Sequence, residues 1–170
     1  MQKFRFTLAL LAVCALPMAA AQPHDAPHAP HWSYAGTESP AHWGGLSSEY
    51  AECSAGKNQS PVDLSRAAAT SERSVVFDYQ PARYRVENNG HALQATPEGG
   101  GQFVRIGGES FALKQFHFHA PSEHTLNGRT HAMEMHIVHQ SADGRAAVVA
   151  VFIDAGASNP AFDAITADLP

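Results

Sequence analysis

From Tyr84 onward the sequence is a succession of short runs in which apolar residues recur at every second position, separated by breaks rich in glycine and asparagine. Period-two patterning is what a strand with one face in a core requires, and it confines such a chain to sheet architectures. Tyr84 to Glu87 and His91 to Thr96 flank Asn88-Asn89-Gly90, a hairpin signal because both residues of an Asn-Gly pair tolerate positive φ. Two glycine clusters, at 99–101 and 107–108, bracket a strand from Gln102 to Ile106, and a longer one runs from Phe111 to His119. Met133 to His139 alternates, whereas Ala146 to Ile153 is continuously apolar, which predicts a strand buried on both faces. Helical spacing is confined to Phe162, Ile165 and Leu169, so the expected fold is predominantly β with few short helices.

Composition narrows the function. The chain has 170 residues, 44% of them hydrophobic, which suits one globular domain and excludes a disordered chain. Its net charge of -5 argues against a nucleic-acid partner, since phosphate-binding surfaces are normally basic. Lys3 and Arg5, the apolar stretch Phe6 to Met18 and the small residues Ala19-Ala20-Ala21 read in order as a secretion signal over residues 1–21. The expected location is therefore the periplasm or the exterior, with no membrane attachment after cleavage. Removal of that segment takes away two positive charges and Cys14, leaving a formal charge of -7 and the single cysteine Cys53. In an oxidising compartment Cys53 either pairs with another chain, as in a homodimer, or has its partner outside this sequence. Residues 22–30, QPHDAPHAP, form a His- and Pro-rich flexible lead-in, and the globular domain is expected over 31–170.

The functional signal lies in the 11 histidines. In Gln115-Phe116-His117-Phe118-His119 the alternation of a strand sends Gln115, His117 and His119 to one face and both phenylalanines to the other. In Glu134-Met135-His136-Ile137-Val138-His139 the same rule groups Glu134, His136 and Val138. Where the two faces line one cleft, three imidazoles converge and leave the fourth corner of a tetrahedron open, the catalytic pattern for Zn2+. Gln115 and Glu134 each sit two residues from a candidate ligand, placed to accept its outer N–H and fix its tautomer. Core histidines held by backbone bonds would not explain a Gln and a Glu in register with them. His124, after the Pro121-Ser122 turn, and His139, on the opposite face, read as structural.

These residues also carry a resemblance. QFHFH (115–119), SEHT (122–125) and EMHIVH (134–139), preceded by NNGH (88–91) and QSPVD (59–63), resemble the α-class carbonic anhydrases in order and spacing. HWSY (31–34) and AVVAVFI (147–153) extend the match, and GKNQSPVDL with a signal peptide is similar to the exported bacterial branch. The resemblance implies a central twisted, mainly antiparallel sheet, zinc on His117, His119 and His136, and interconversion of carbon dioxide and bicarbonate. It implies attack by zinc-bound hydroxide, with His91 as the proton shuttle; histidine suits that duty because it gains and loses a proton near neutral pH. Tyr34 and Asn89 would help hold a water chain, Gln94 and Gln115 would line the polar side of the cleft, and Val138 and Val148 would form the apolar wall for carbon dioxide.

Glu123 matches the family's glutamate that orients a hydroxide-gating threonine, but no loop carrying that threonine is present, nor is a second cysteine for Cys53. The expectation is therefore a sequence that stops inside its domain, roughly two thirds of the way through. Two alternatives remain at this level. One is a non-catalytic exported zinc-binding protein using the same histidines. The other is a cupin-like metal enzyme, because His117-x-His119-x-x-x-Glu123 has a cupin ligand spacing and would make Glu123 a ligand.

Overall fold

The computed structural model describes residues 31–66 and 74–167. The signal segment 1–21, the lead-in 22–30 and Leu169 lie outside the described residues.

Among the described residues, seven strands form one antiparallel sheet: β1 (Val75–Asp78), β2 (Arg83–Asn88), β3 (Leu93–Glu98), β4 (Phe103–Ile106), β5 (Glu109–His119), β6 (Met133–Gln140) and β7 (Ala146–Ile153). Helices are short: α1 (Trp43–Leu46) and α2 (Glu52–Ala55) precede the sheet, and α3 (Pro160–Thr166) follows it. The fold class is the one expected, predominantly β. β1 was not anticipated; its Val75, Val76 and Phe77 are all about half exposed and show no alternation of burial.

β5 organises the sheet. Along one edge its first half pairs with β4 and its second half with β3, while its other edge pairs with β6. The β5–β6 register moves by one residue between Leu113 and Gln115, leaving exposed Lys114 as the extra residue of a β-bulge. The bulge answers a parity problem in the sequence. Phe111 and Leu113 are at odd positions and Phe116 and Phe118 at even ones, so an uninterrupted strand would send the two pairs to opposite faces. With Lys114 absorbed, all four occupy one face.

Directly paired residues in an antiparallel sheet share a face. The apolar face therefore collects Phe111 with Val104, Phe116 with Ala95 and Ile137, and Phe118 with Met135. Ala95, Val104, Phe111, Leu113 and Phe118 form the buried core, each large side chain worth about 1.5–3 kcal/mol. Phe162 of α3 packs toward Phe118, with ring centroids 6.0 Å apart. His139 is fully buried on this face, where its Nε2 is 2.6 Å from the Tyr79 hydroxyl.

Two expectations need correction. β7 is not buried on both faces: it pairs only with β6, and Val148 and Val151 are 54% and 39% exposed, because no described strand lies along its outer edge. In the Asn88-Asn89-Gly90 turn only Gly90 takes positive φ, at 90°. The asparagines act through their side chains: Asn88 Oδ1 accepts the Gly90 N–H, and Asn89 Oδ1 accepts those of His91 and Ala92.

Candidate metal centre

On the opposite face of the sheet, His117 is the direct cross-strand partner of His136, and His119 that of Glu134. The ring centroids of His117, His119 and His136 are 4.7–5.3 Å apart. One nitrogen from each lies within 4.8 Å of the other two, a spacing open to one shared ion. The bulge makes this convergence compatible with the apolar core, since it alone puts both histidines of β5 opposite the phenylalanines of both halves.

The outer nitrogens identify the inner ones. His117 Nδ1 is 2.8 Å from Gln115 Oε1, which leaves Nε2 facing the cluster. His119 Nδ1 is 3.4 Å from the Tyr34 hydroxyl, and its buried Nε2 has no hydrogen-bond partner. A buried nitrogen left unsatisfied is costly in an ordinary core and is what a ligand looks like without its ion. Burial, reinforced by the neighbouring imidazoles, holds His117 down at about 4, and burial likewise lowers His119 against the opposing pull of Glu123. Both rings are therefore neutral at physiological pH, the state that offers lone pairs to a metal.

Glu134 departs from its expected role. Its Oε1 is 2.6 Å from His124 Nδ1, and its Oε2 accepts the backbone N–H groups of Glu123 and His124 at 2.8 and 2.9 Å. His136 Nε2 is farther, at 3.4 Å from Oε1, and is not aligned for a hydrogen bond. Burial opposes ionisation of Glu134, but the bonds from His124 and Glu123 outweigh it and keep the carboxylate below its ordinary range. A fully buried carboxylate takes the donors that satisfy it best, and two backbone amides with an adjoining ring outcompete one ring. His124 thus belongs to this network, with its Nε2 3.3 Å from Ser60 Oγ. The sequence reads His124 only as a structural histidine and gives Ser60 no role; the SEHT segment carries the signal, but the side chain that His124 serves lies on another strand.

The cleft above the cluster has a volume of about 480 Å³ and is lined by Trp32, Tyr34, Glu123, the three histidines, Val148 and Ala150 among others. An adjoining hollow of about 580 Å³ shares Tyr34, His119 and Glu123 and reaches His91. His91 is exposed and stacks on Trp32, with centroids 3.7 Å apart and planes 8° from parallel. Trp32, Tyr34 and Trp43 form a mutual edge-to-face cluster that supports the stack. Burial raises Tyr34 to about 12, helped by the charge of Glu123 and a hydrogen bond to it, so the phenol stays protonated. Asn89 donates to Gln94 Oε1 at 3.3 Å, and Gln94 sits opposite His117 across the β3–β5 pair. Val138 pairs with Val148 on the histidine face, but only Val148 lines the cleft.

Comparison with known proteins converges on one group. A family model described as eukaryotic-type carbonic anhydrase matches residues 38–170. The chain is 40% identical over 166 residues to a carbonic anhydrase of Neisseria gonorrhoeae, covering 98% of this chain and 64% of that protein. It is 41% identical over 163 residues to one of Klebsiella pneumoniae, covering 95% and 63%. Among solved structures, a hyperthermostable carbonic anhydrase from an active hydrothermal vent chimney superposes with a TM-score of 0.77 at 45% identity, over 82% of this chain and 63% of that one. The α-carbonic anhydrase of Thermovibrio ammonificans, in complex with the inhibitor sulfanilamide, gives 0.72 at 44% identity, over 79% and 60%. The chain thus spans slightly less than two thirds of the length of these relatives.

Proposed function

Because the chain belongs to the eukaryotic-type carbonic anhydrase family, we propose that it serves the reversible hydration of carbon dioxide to bicarbonate and a proton, with Zn2+ held by His117, His119 and His136. The observation that carries this reading is the convergence of three imidazole nitrogens within 4.8 Å, one of them buried without a hydrogen-bond partner, at the floor of a cleft. A zinc ion bound there supplies Lewis acidity, lowering the pKa of a water toward neutrality as the general chemistry of three-histidine zinc sites describes.

The chain's own residues do the rest. Gln115 fixes the His117 tautomer and aims its Nε2 inward. Val148 and Ala150 offer an apolar wall to a nonpolar substrate, opposite the polar side formed by Tyr34 and Glu123. His91, at the mouth, accepts the proton released on hydration and passes it to solvent, with Trp32 supporting the ring and Asn89 fixing the backbone under it. The segment 1–21 supports export to the periplasm or beyond, where the substrate is freely diffusible.

The test is metal content together with stopped-flow hydration of carbon dioxide by the whole chain. One zinc per chain and a rate lost in His117→Ala are expected; a metal-free protein with no rate above buffer would overturn the reading. A second reading, a non-catalytic exported zinc-binding protein, is favoured by one observation, the closeness of Glu123 to two of the candidate ligands. It expects zinc without rate acceleration. The cupin-like alternative falls with the family membership.

A further inference from the structure

The pair Asn-Gly occurs twice, at Asn89-Gly90 and Asn127-Gly128, and the two turns hold it differently. In such a pair the glycine nitrogen can close a five-membered ring on the asparagine side-chain carbonyl, and glycine has no side chain to hinder the closure. The first pair is locked against this. Asn89 Oδ1 accepts the N–H groups of His91 and Ala92, both at 2.9 Å, and Asn89 Nδ2 donates to Gln94 Oε1. The Gly90 N–H is held in turn by Asn88 Oδ1 at 3.0 Å.

The second pair forms the exposed tip of a two-residue hairpin, closed by Leu126 and Arg129 through backbone bonds of 2.9 and 3.2 Å. Asn127 has φ 53° and Gly128 φ 73°, the primed turn with both central residues at positive φ. Among the described residues Asn127 is the one non-glycine with positive φ. Turning over the peptide plane between the two converts this turn into its relative with positive φ at the first position alone. That flip leaves φ of Asn127 where it is and swings the Gly128 nitrogen to the side of Asn127 Cγ. No atom stands within 4 Å of a Cβ built on Gly128, and the Asn127 carboxamide makes no hydrogen bond among the described residues. One contact resists the flip: the Gly128 N–H donates to Asp63 Oδ1 at 3.1 Å. Asp63 is itself fixed by the hydroxyls of Thr125 and Ser65, at 3.0 and 2.7 Å.

We propose that Asn127-Gly128 is a self-modification site, where Asn127 loses ammonia to its own backbone and Asp63 is the latch that sets the rate. The Gly128 nitrogen attacks Asn127 Cγ. The N–Cγ bond forms, the Cγ–Nδ2 bond breaks, and the departing ammonia carries off the proton that the Gly128 nitrogen gives up. Water then opens the cyclic imide, at Cγ to give aspartate or at the backbone carbonyl to give isoaspartate. Either product brings a new negative charge to the turn that Asp63 holds, and isoaspartate also lengthens the main chain of a hairpin with only two residues at its tip. The modification therefore releases one of the ties between the segments around residues 63 and 125.

The experiment incubates the whole chain in mildly alkaline buffer, with and without urea, and follows both Asn-Gly pairs by peptide mass spectrometry. Isoaspartate is counted by enzymatic methyl transfer to its free carboxylate. In urea the two pairs should convert at similar rates, because the dipeptide is the same. In native buffer Asn127 should convert while Asn89 stays intact. Asp63→Ala should speed conversion at Asn127 roughly ten-fold, the size expected for releasing one charge-assisted hydrogen bond. Asn127 preserved as well as Asn89 in native buffer, or both lost there at one rate, overturns the site. An unchanged or slower rate at Asn127 in Asp63→Ala overturns the latch. A variant that merely unfolds is recognised because Asn89 converts as well; Asp63→Asn, which keeps an acceptor without the charge and should convert at an intermediate rate, then decides.

Discussion

His117 and His136 are direct cross-strand partners, their rings 5.3 Å apart at 86° to each other on the sheet face away from the phenylalanines. Backbone pairing thus sets the separation of two candidate ligands before any side chain chooses a rotamer. His119 completes the triangle from two residues further along β5, so the cluster inherits the stiffness of the strand pair that carries it.

Replacement of Gln115 by Ala should weaken zinc binding by about 10- to 100-fold, because it frees the outer nitrogen of His117 to adopt either tautomer. Competition against a chelating dye measures this. A change below about two-fold would show that something else orients the ring.

His91→Ala should slow carbon dioxide hydration on the order of 10²-fold at low buffer concentration, with added imidazole restoring part of the rate. Trp32→Ala, which removes the stacked support, should give a smaller loss in the same direction. Rates independent of buffer in both variants would remove His91 from proton transfer.

Acid should loosen the junction between the segments around residues 63 and 125. Asp63 is held below the usual carboxylate range by the Ser65 hydroxyl first and the Gly128 N–H next, against an opposing effect of burial, with the Thr125 hydroxyl adding to the lowering. Because the folded value lies below the unfolded one, this contribution is complete above the ordinary carboxylate range and disappears as pH falls through the depressed value. Asp63→Asn should flatten that part of the acid branch in thermal melts from pH 2 to 6, and an unchanged branch would show that the carboxylate contributes nothing there.

In the 170-residue chain taken by itself, whose described residues place no strand along the outer edge of β7, that strand should drive self-association. The edge strands β1 and β2 carry charges, Asp78 in one and Arg83, Arg85 and Glu87 in the other, whereas the eight residues of β7 carry none. Uncharged, exposed edges recruit further strands. Val151→Lys should lower the sedimentation-derived association constant at least several-fold while shifting the melting temperature only slightly; equal association would place the contact elsewhere.

Much of this was legible before any coordinates. The grouping of Gln115, His117 and His119 against Phe116 and Phe118, and of Glu134 and His136 against His139, follows from strand parity alone and matches the register. What was not legible depended on contacts distant in sequence. His124 sits close to Pro121 and Ser122, yet its role is set by Glu134 on another strand. The burial of β7 was misjudged because an apolar run reports what a strand tolerates, not whether a neighbour is present to cover it. The bulge could have been found: the apolar spacing Phe111, Leu113, Phe116, Phe118 contains one step of three in a series of twos.

That odd step has a practical meaning for anyone transplanting this centre into another β scaffold. A donor segment cut at Gln115 would deliver two imidazoles in the right orientation and strand them over a recipient's hydrophobic layer whose phase is off by one. Lys114, which belongs neither to the histidine cluster nor to the lining of the cleft, has to travel with the candidate ligands.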